Sequence, residues 1–374
     1  VKSPFGAAHP GLPESTAFTH LREDHAMNSQ WKNFLADDAG AEIADDLALH
    51  YGNPRRELEI AITGLVFADL GHLGVIAVHG KGAAGFLQGQ FSNDVGQVDE
   101  GHSQLSAYCT PKGRVLGLFR LFRHGDAFYL RLPRDTLDAV LERLRRYILR
   151  AEVTLEDATD NFIRIGVTGK TAGEELSAVV GTPPDEPGGV IHTGDFTVLR
   201  VPGMHPRFEV YARSFAAARN LWDTLNVRGA PIGHAPWQLT EIQAGLPNVY
   251  AETAEQFVPQ MLNLQLIDAV NFKKGCYPGQ EIVARTQYLG ALKRRMYAGR
   301  IATETLPIPG DELFGATDSA QAAGQIVDAQ PHPDGGYAAL AVLQISEAES
   351  GILHLGSCDG AAFTLEALPY PFSD

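Results

Sequence analysis

The stretch Phe272-Lys-Lys-Gly-Cys-Tyr-Pro-Gly-Gln-Glu-Ile-Val-Ala-Arg285 constrains this chain more than any other, because its residues leave the backbone few choices. Pro278-Gly279 breaks the chain, and Gln280 to Thr286 has the make-up of a short helix. Lys273 and Lys274 stand just before Cys276. The pattern predicts a thiol at the mouth of a turn, between two ammonium groups and a helix N-terminus. Both surroundings favour a thiolate. The competing reading makes Cys276 a small buried apolar residue beside solvated lysines, since free cysteine is often buried.

Charge and cysteine count narrow the classes. A net charge of −15 disfavours broad, sequence-independent binding of nucleic acid, which needs a basic face. Positive charge is nevertheless clustered at Arg143-Leu-Arg-Arg146 and Lys293-Arg-Arg295, where a small anion or only solvent could meet it. Three cysteines with no C-x-x-C pair argue against a disulfide scaffold and a self-contained zinc site, and no metal is expected, since nothing in the spacing of Cys109, Cys276 and Cys358 demands that they converge on a cluster. No apolar run approaches the roughly 18 residues of a membrane span. A soluble protein of a reducing compartment, the cytoplasm, is expected.

Along the chain, residues 1–26 are polar and without period, and Met27 reads as a native start, so a disordered extension is expected there. Trp31, Phe34 and Leu35 recur at helical spacing. Leu65 to Leu70 and Gly74 to His79 read as two strands joined by a turn around Gly71-His72. Gly80-Lys-Gly82-Ala-Ala-Gly85 matches a dinucleotide fingerprint in the strand–turn–helix context. Its acidic partner should cap a second buried strand, yet Asp99-Glu100 follows the polar Gly96-Gln-Val. Gln104–Cys109, Arg114–Phe122 and Ala127–Leu132 form an antiparallel meander with a turn at Thr110-Pro-Lys-Gly113. A helix over Thr136–Ile148 follows. Strand Phe162–Thr168, helix Ala172–Val180, strands Phe196–Val201 and Phe208–Tyr211, and helix Ser214–Leu225 suit a ferredoxin-like unit. Trp237, on a helix beginning at Pro236, faces either a cavity or the core. Past Arg295, short strands between Gly/Pro-rich turns read as a small barrel or sandwich.

Lys274-Gly-Cys-Tyr-x-Gly-Gln-Glu281 resembles the signature of the YgfZ-type folate-binding proteins. These are relatives of the glycine-cleavage aminomethyltransferases and are linked to iron–sulfur protein maintenance and tRNA modification. Phe86-Leu-Gln-Gly-Gln90, Asn93-Asp94, Tyr108-Cys109, Pro111-Lys-Gly-Arg114, Arg146-Tyr147-x-x-Arg150 and Gln256-Phe-Val-Pro-Gln260 carry the same resemblance. It implies an α+β, aminomethyltransferase-like folate-binding fold with a ferredoxin-like insert and a C-terminal antiparallel β-barrel. The expected units are a discontinuous folate-binding domain of 28–157 and 231–290, an insert of 158–230 and a barrel of 291–374.

The resemblance also implies site residues. Cys276 and Lys274 become the candidate catalytic pair, with Cys276 a redox-active or nucleophilic thiol near the folate, within a motif of Gly275, Tyr277, Gly279, Gln280 and Glu281. Trp237, Arg285, Asn93 and Asp94 become candidates for folate. Trp237 matches a tryptophan credited with pterin contact, and a second such position holds Leu73. Lys274, Arg285 and Lys293-Arg-Arg295 are candidates for the glutamate tail. The aminomethyltransferases carry an Asp pair where Gly117 and Leu118 stand here, so glycine-cleavage chemistry lacks its carboxylate. The expected cofactor is tetrahydrofolate or another reduced folate, and the expected partners are iron–sulfur client proteins, with tRNA reached only indirectly. A folate-dependent aminomethyl transferase and a dinucleotide-dependent oxidoreductase remain as alternatives.

Overall fold

The computed structural model describes residues 28–290, 292–315, 321–351 and 353–372. The extension expected over residues 1–26 lies outside the described residues. The fold is α+β and is carried by a five-stranded sheet, a six-stranded sheet and a closed barrel, beside a small two-stranded hairpin.

The five-stranded sheet is antiparallel and runs Gln104–Cys109, Val115–His124, Ala127–Pro133, Leu73–His79, Thr154–Asp157. Its first three strands are the expected meander. Helices Ala83–Gln88 and Arg134–Arg145 cover its outer face. In the second, Leu137, Val140, Leu141 and Leu144 fall on one buried stripe at helical spacing. Burying each of these contributes on the order of 1.5–3 kcal/mol.

The six-stranded sheet runs Val190–Thr193, Phe196–Val201, Arg207–Ala212, Ile163–Thr168, Val66–Asp69, Ala230–Pro231, with only the last pair parallel. Helices Ala172–Val180 and Phe215–Leu225 close its outer face, with residues 28–33 and the π-turn Phe34–Asp38 beside them. Trp31 and Phe34 meet Trp222 edge-on there, which explains their helical spacing. The neighbouring strands Val66–Asp69 and Leu73–His79 part into different sheets. Asp69 turns the chain between them, accepting from the Gly71 N–H at 2.9 Å and from the Trp31 indole at 2.8 Å. Helix Pro54–Thr63 went unforeseen, although Asn53-Pro54 spells its start. The Asn53 side chain accepts from the Arg56 N–H at 3.1 Å, and Pro54 occupies the first turn.

The barrel closes through Arg294–Ile301, Tyr337–Gln344, Gly324–Pro331, Glu312–Gly315, Leu353–Leu355 and Ala362–Glu366. It packs on helix His234–Gln243 and on the five-stranded sheet through Leu118, Leu239, Ile242, Val327, Leu340 and Val342. Among the described residues no helix is long and apolar enough to cross a membrane.

The two sheets face each other across Val75, Ala77, Phe122, Leu199, Val201 and Tyr211. An ionic network lies buried with this apolar layer. Arg131 on one sheet pairs with Glu209 on the other through two guanidinium nitrogens. The Tyr211 hydroxyl also donates to Glu209, at 2.9 Å. Arg207 donates to Glu241 at 2.7 Å, and the Asn248 amide donates to the same carboxylate at 3.0 Å. Burial opposes ionisation of Glu241, but Arg207 and Arg131 outweigh it and hold the carboxyl down at about 2. Since its unfolded value is 4.5, the stability Glu241 supplies is complete above about pH 4.5 and is lost as pH falls toward 2. Glu241→Gln should therefore cost a few kcal/mol at neutral pH, as breaking a buried pair does. It should also flatten the acid limb of the melting temperature between pH 4.5 and 2. An acid limb identical to that of the wild type would remove Glu241 from the network's energetics.

Candidate functional site

The motif turn is held from below. The side chain of Lys274 points inward, and its Nζ donates to the carbonyls of Gln88 at 2.6 Å and Phe91 at 2.5 Å. These carbonyls lie at and just past the end of helix Ala83–Gln88, where backbone acceptors lack intrahelical partners. The ammonium also sits 5.2 Å from the centre of the Tyr277 ring. Burial lowers the Lys274 pKa to about 8, against the opposing field of Asp94. Lys274 is thus a strut, not a free cation beside the thiol, which corrects the expected pair of flanking ammonium groups. Its neighbour Lys273 is exposed.

Gly279 sets the next constraint. Its φ is +80°, and a Cβ there would lie 2.6 Å from the Gly113 nitrogen. Gly113 in turn has φ +70°, and a Cβ there would come 3.0 Å from Ile282. The Thr110–Gly113 turn and the motif turn therefore seat on one another with no room for side chains. Helix Gln280–Tyr288 starts from Gly279, buries Val283, and is tied by Gln260 donating to the Val283 carbonyl at 2.7 Å. With Lys274 and Tyr277 turned inward, Gly275 and Cys276 are left exposed, and Glu281 is exposed on the first turn of the helix, beside a half-buried Gln280. Cys109 is the opposite case, buried, with its thiol pushed up to about 12.

Other expected residues turn out to be braces. Asn93 donates to the Leu105 carbonyl at 2.9 Å and the Asp268 carbonyl at 2.6 Å, fastening the sheet edge to the segment before the motif. Asp94 accepts from Gln88 at 2.9 Å and from the Gly96 N–H at 3.1 Å. Trp237 is wholly buried, against Gly166, whose Cβ would lie 2.5 Å from the indole, and under the Arg207 guanidinium at 4.4 Å. The ring fills core and offers no face for stacking, a correction to its expected place in a pterin slot. Leu73 is also buried in that cluster and borders a separate cavity of about 340 Å³. Arg285 and Lys293 are exposed. Arg295 lies over Phe372, 4.4 Å from the ring centre, and Arg294 reaches the Ala322 carbonyl at 3.5 Å.

A cavity of about 570 Å³ opens between the five-stranded sheet, the Pro187-Gly188 loop and the segment running into the motif. Asn93, Phe272 and Lys273 line it, so it joins two stretches that the sequence singled out. Tyr288 forms part of its rim, edge-on to Phe272 with ring centres 5.9 Å apart. Leu105, Ile267 and Val270 supply apolar wall, while Gln104 and Arg120 supply polar groups that the sequence reading missed. A signal for Arg120 existed: it shares the phase of Leu116, Leu118 and Phe122 on a strand buried on both faces.

Two other constellations fare less well. The Gly80–Gly82 turn is closed by the chain itself, since the Gly82 N–H donates to the Glu152 carbonyl at 3.1 Å. A Cβ at Gly80 would meet the same backbone, so these glycines serve chain packing and leave no berth for a pyrophosphate. Glu100, His124 and His192 converge near enough to share a metal ion. However, Arg213 donates to His124 Nε2 at 2.8 Å, which leaves the proton on the Nδ1 that faces Glu100. A guanidinium in this position suits a cation poorly.

Comparison with known proteins agrees with this fold. The model of the GCVT N-terminal domain matches residues 48–274. A protein from Cronobacter sakazakii named tRNA-modifying protein YgfZ is 31% identical over 321 residues, covering 86% of this chain and 97% of that one. One of the same name from Colwellia psychrerythraea is 30% identical, covering 81% and 92%. Among solved structures, glycine cleavage system aminomethyltransferase T from Bartonella henselae superposes with a TM-score of 0.74 at 19% identity, covering 90% of this chain and 95% of that one. That last likeness is one of fold alone.

Two outcomes follow from the motif's geometry. Gly279→Ala combines a left-handed backbone with a clash against Gly113, so it should destabilise the protein by on the order of 1–3 kcal/mol in urea titration. Unchanged stability would mean that the two turns are not interlocked. Alkylation of the native protein, read by mass spectrometry, should label exposed Cys276 well before buried Cys109, which should react only on unfolding. Equal labelling rates would contradict the turn described here.

Proposed function

The chain belongs to the GCVT-domain family, in the group named tRNA-modifying protein YgfZ, and on that premise we propose that it binds a reduced folate, tetrahydrofolate or a close relative, in the 570 Å³ cavity. The observation that carries this reading is the cavity itself, a slot that sets an apolar wall opposite an equal share of polar groups, adjoining the motif. Leu105, Ile267 and Val270 would bracket a flat ring, and Gln104, Ser103 and Asn271 would address its polar edge. Phe272 and Tyr288 would cover the ligand where it leaves the protein. A bound reduced folate would supply one-carbon or reducing chemistry; the chain's residues bind it, orient it and keep water from it.

Cys276 lies outside the slot on an exposed turn, accessible to a partner protein. We take it as the thiol through which the protein serves iron–sulfur clients, with any effect on tRNA modification arising through them. The aminomethyl-transferase reading is weaker. Gly117, where the enzymes have a carboxylate, faces Val140 with a notional Cβ at 3.1 Å, and Leu118 is buried in the apolar core. No carboxylate at either position can address an amine.

Anaerobic calorimetric titration with tetrahydrofolate should show saturable binding. Leu105→Trp, which fills the slot, should abolish that binding while lowering the melting temperature by only a few degrees. Absence of saturable binding by the wild type would overturn the proposal, and binding undiminished in Leu105→Trp would move the site elsewhere.

A further inference from the structure

Arg120 is 3% exposed, yet among the described residues it makes no hydrogen bond and no ion pair, and its Nε is shut from solvent without an acceptor. A buried guanidinium without a partner is costly and rarely tolerated. The nearby carboxylates are already committed. Glu209 accepts from Arg131 twice and from Tyr211, and Glu241 accepts from Arg207 and Asn248. Three arginines, Arg120, Arg131 and Arg207, thus meet two carboxylates, and the one left over is the one that lines the 570 Å³ cavity. Burial, with the repulsion of Arg131 and Arg207 against the attraction of Glu209, lowers the Arg120 pKa to about 10, which still leaves it charged at neutral pH. On the neighbouring strand Gln104 also lines the cavity, and its buried amide nitrogen has no acceptor either.

We propose that Arg120 is the carboxylate receptor of this cavity: an ionised carboxylate of the ligand supplies the acceptor that the protein withholds. The guanidinium fork matches a two-oxygen anion, and such charge-assisted pairs are the strong ones. The carboxylate has two possible sources, the glutamate tail of the folate or a small free carboxylate bound beside the ring. Only the first rests on the folate reading. None of the cations expected from sequence to take the tail, Lys274, Arg285, Lys293, Arg294 and Arg295, lines the cavity.

The test compares the full-length wild type with Arg120→Met and Arg120→Lys, by calorimetry and thermal melting. The ligands are tetrahydrofolate, the same folate with both tail carboxylates amidated, and acetate added to the folate complex. If the tail is the source, Arg120→Met weakens tetrahydrofolate at least about tenfold, leaves the bis-amide unchanged, and Arg120→Lys recovers part of the loss. If a small carboxylate is the source, acetate binds the wild-type complex and not Arg120→Met. The melting temperature of Arg120→Met should not fall, because an unpaired buried charge has been removed. Equal affinities of wild type and Arg120→Met for all three ligands would overturn the proposal. So would an equal loss for tetrahydrofolate and its bis-amide with acetate not distinguishing the two proteins, or a drop of several degrees in melting temperature with binding unchanged, which marks a counter-ion to Glu209. Should the wild type bind no folate, the folate reading fails. Acetate titrated onto the free protein then decides, with binding to wild type but not Arg120→Met sustaining the receptor and binding to neither ending it.

Discussion

Two sheets packed face to face would ordinarily be joined by aliphatic side chains. Here the joint carries charge: Arg131 reaches across to Glu209, and Arg207 reaches the helix that bears Glu241. Such pairs add little net stability over well-packed hydrophobes, but they are strict about register, since a slip of one residue leaves charges buried and unpaired. That strictness holds the inner ends of both sheets in place. It also leaves the cavity beside them lined by a sheet face that cannot close by sliding. The site is therefore a consequence of the joint between the sheets, more than of any loop.

Periodicity made most of the fold legible. The strands of the meander Gln104–Pro133 and of the unit Ile163–Leu225 stand out as apolar runs bounded by turns, because both their faces are covered, while the stripe Leu137–Leu144 repeats at helical spacing because its helix buries one face. Pairing was harder to read. Val66–Asp69 looked like the partner of the next strand, yet it joins Ile163–Thr168 almost a hundred residues away. Local pattern reports which face of a strand is buried but says nothing of which strand lies beside it.

The site divides along the same line. The turn at Gly279 and the helix after it follow from short-range chemistry, and the helix forms where Pro278-Gly279 and the run from Gln280 to Thr286 imply it. Lys274 and Trp237 were misjudged for one reason: both are polar or amphipathic residues whose partners, the Gln88 and Phe91 carbonyls and Gly166, come from distant parts of the chain. Arg120 was passed over because an arginine in a strand ordinarily means an exposed face, although the apolar residues in its own phase already marked that face as covered.

The seating of Gly279 on Gly113 ties together two turns that lie far apart in the chain. Joining them closes a long loop around the intervening insert, and that closure costs chain entropy which the packed turns must offset. An unfolded chain exposes the Cys276 thiol as well, so what folding adds is place: the sulfur stands at a fixed position on the turn that follows the cavity-lining Phe272 and Lys273, rather than anywhere along a loose chain.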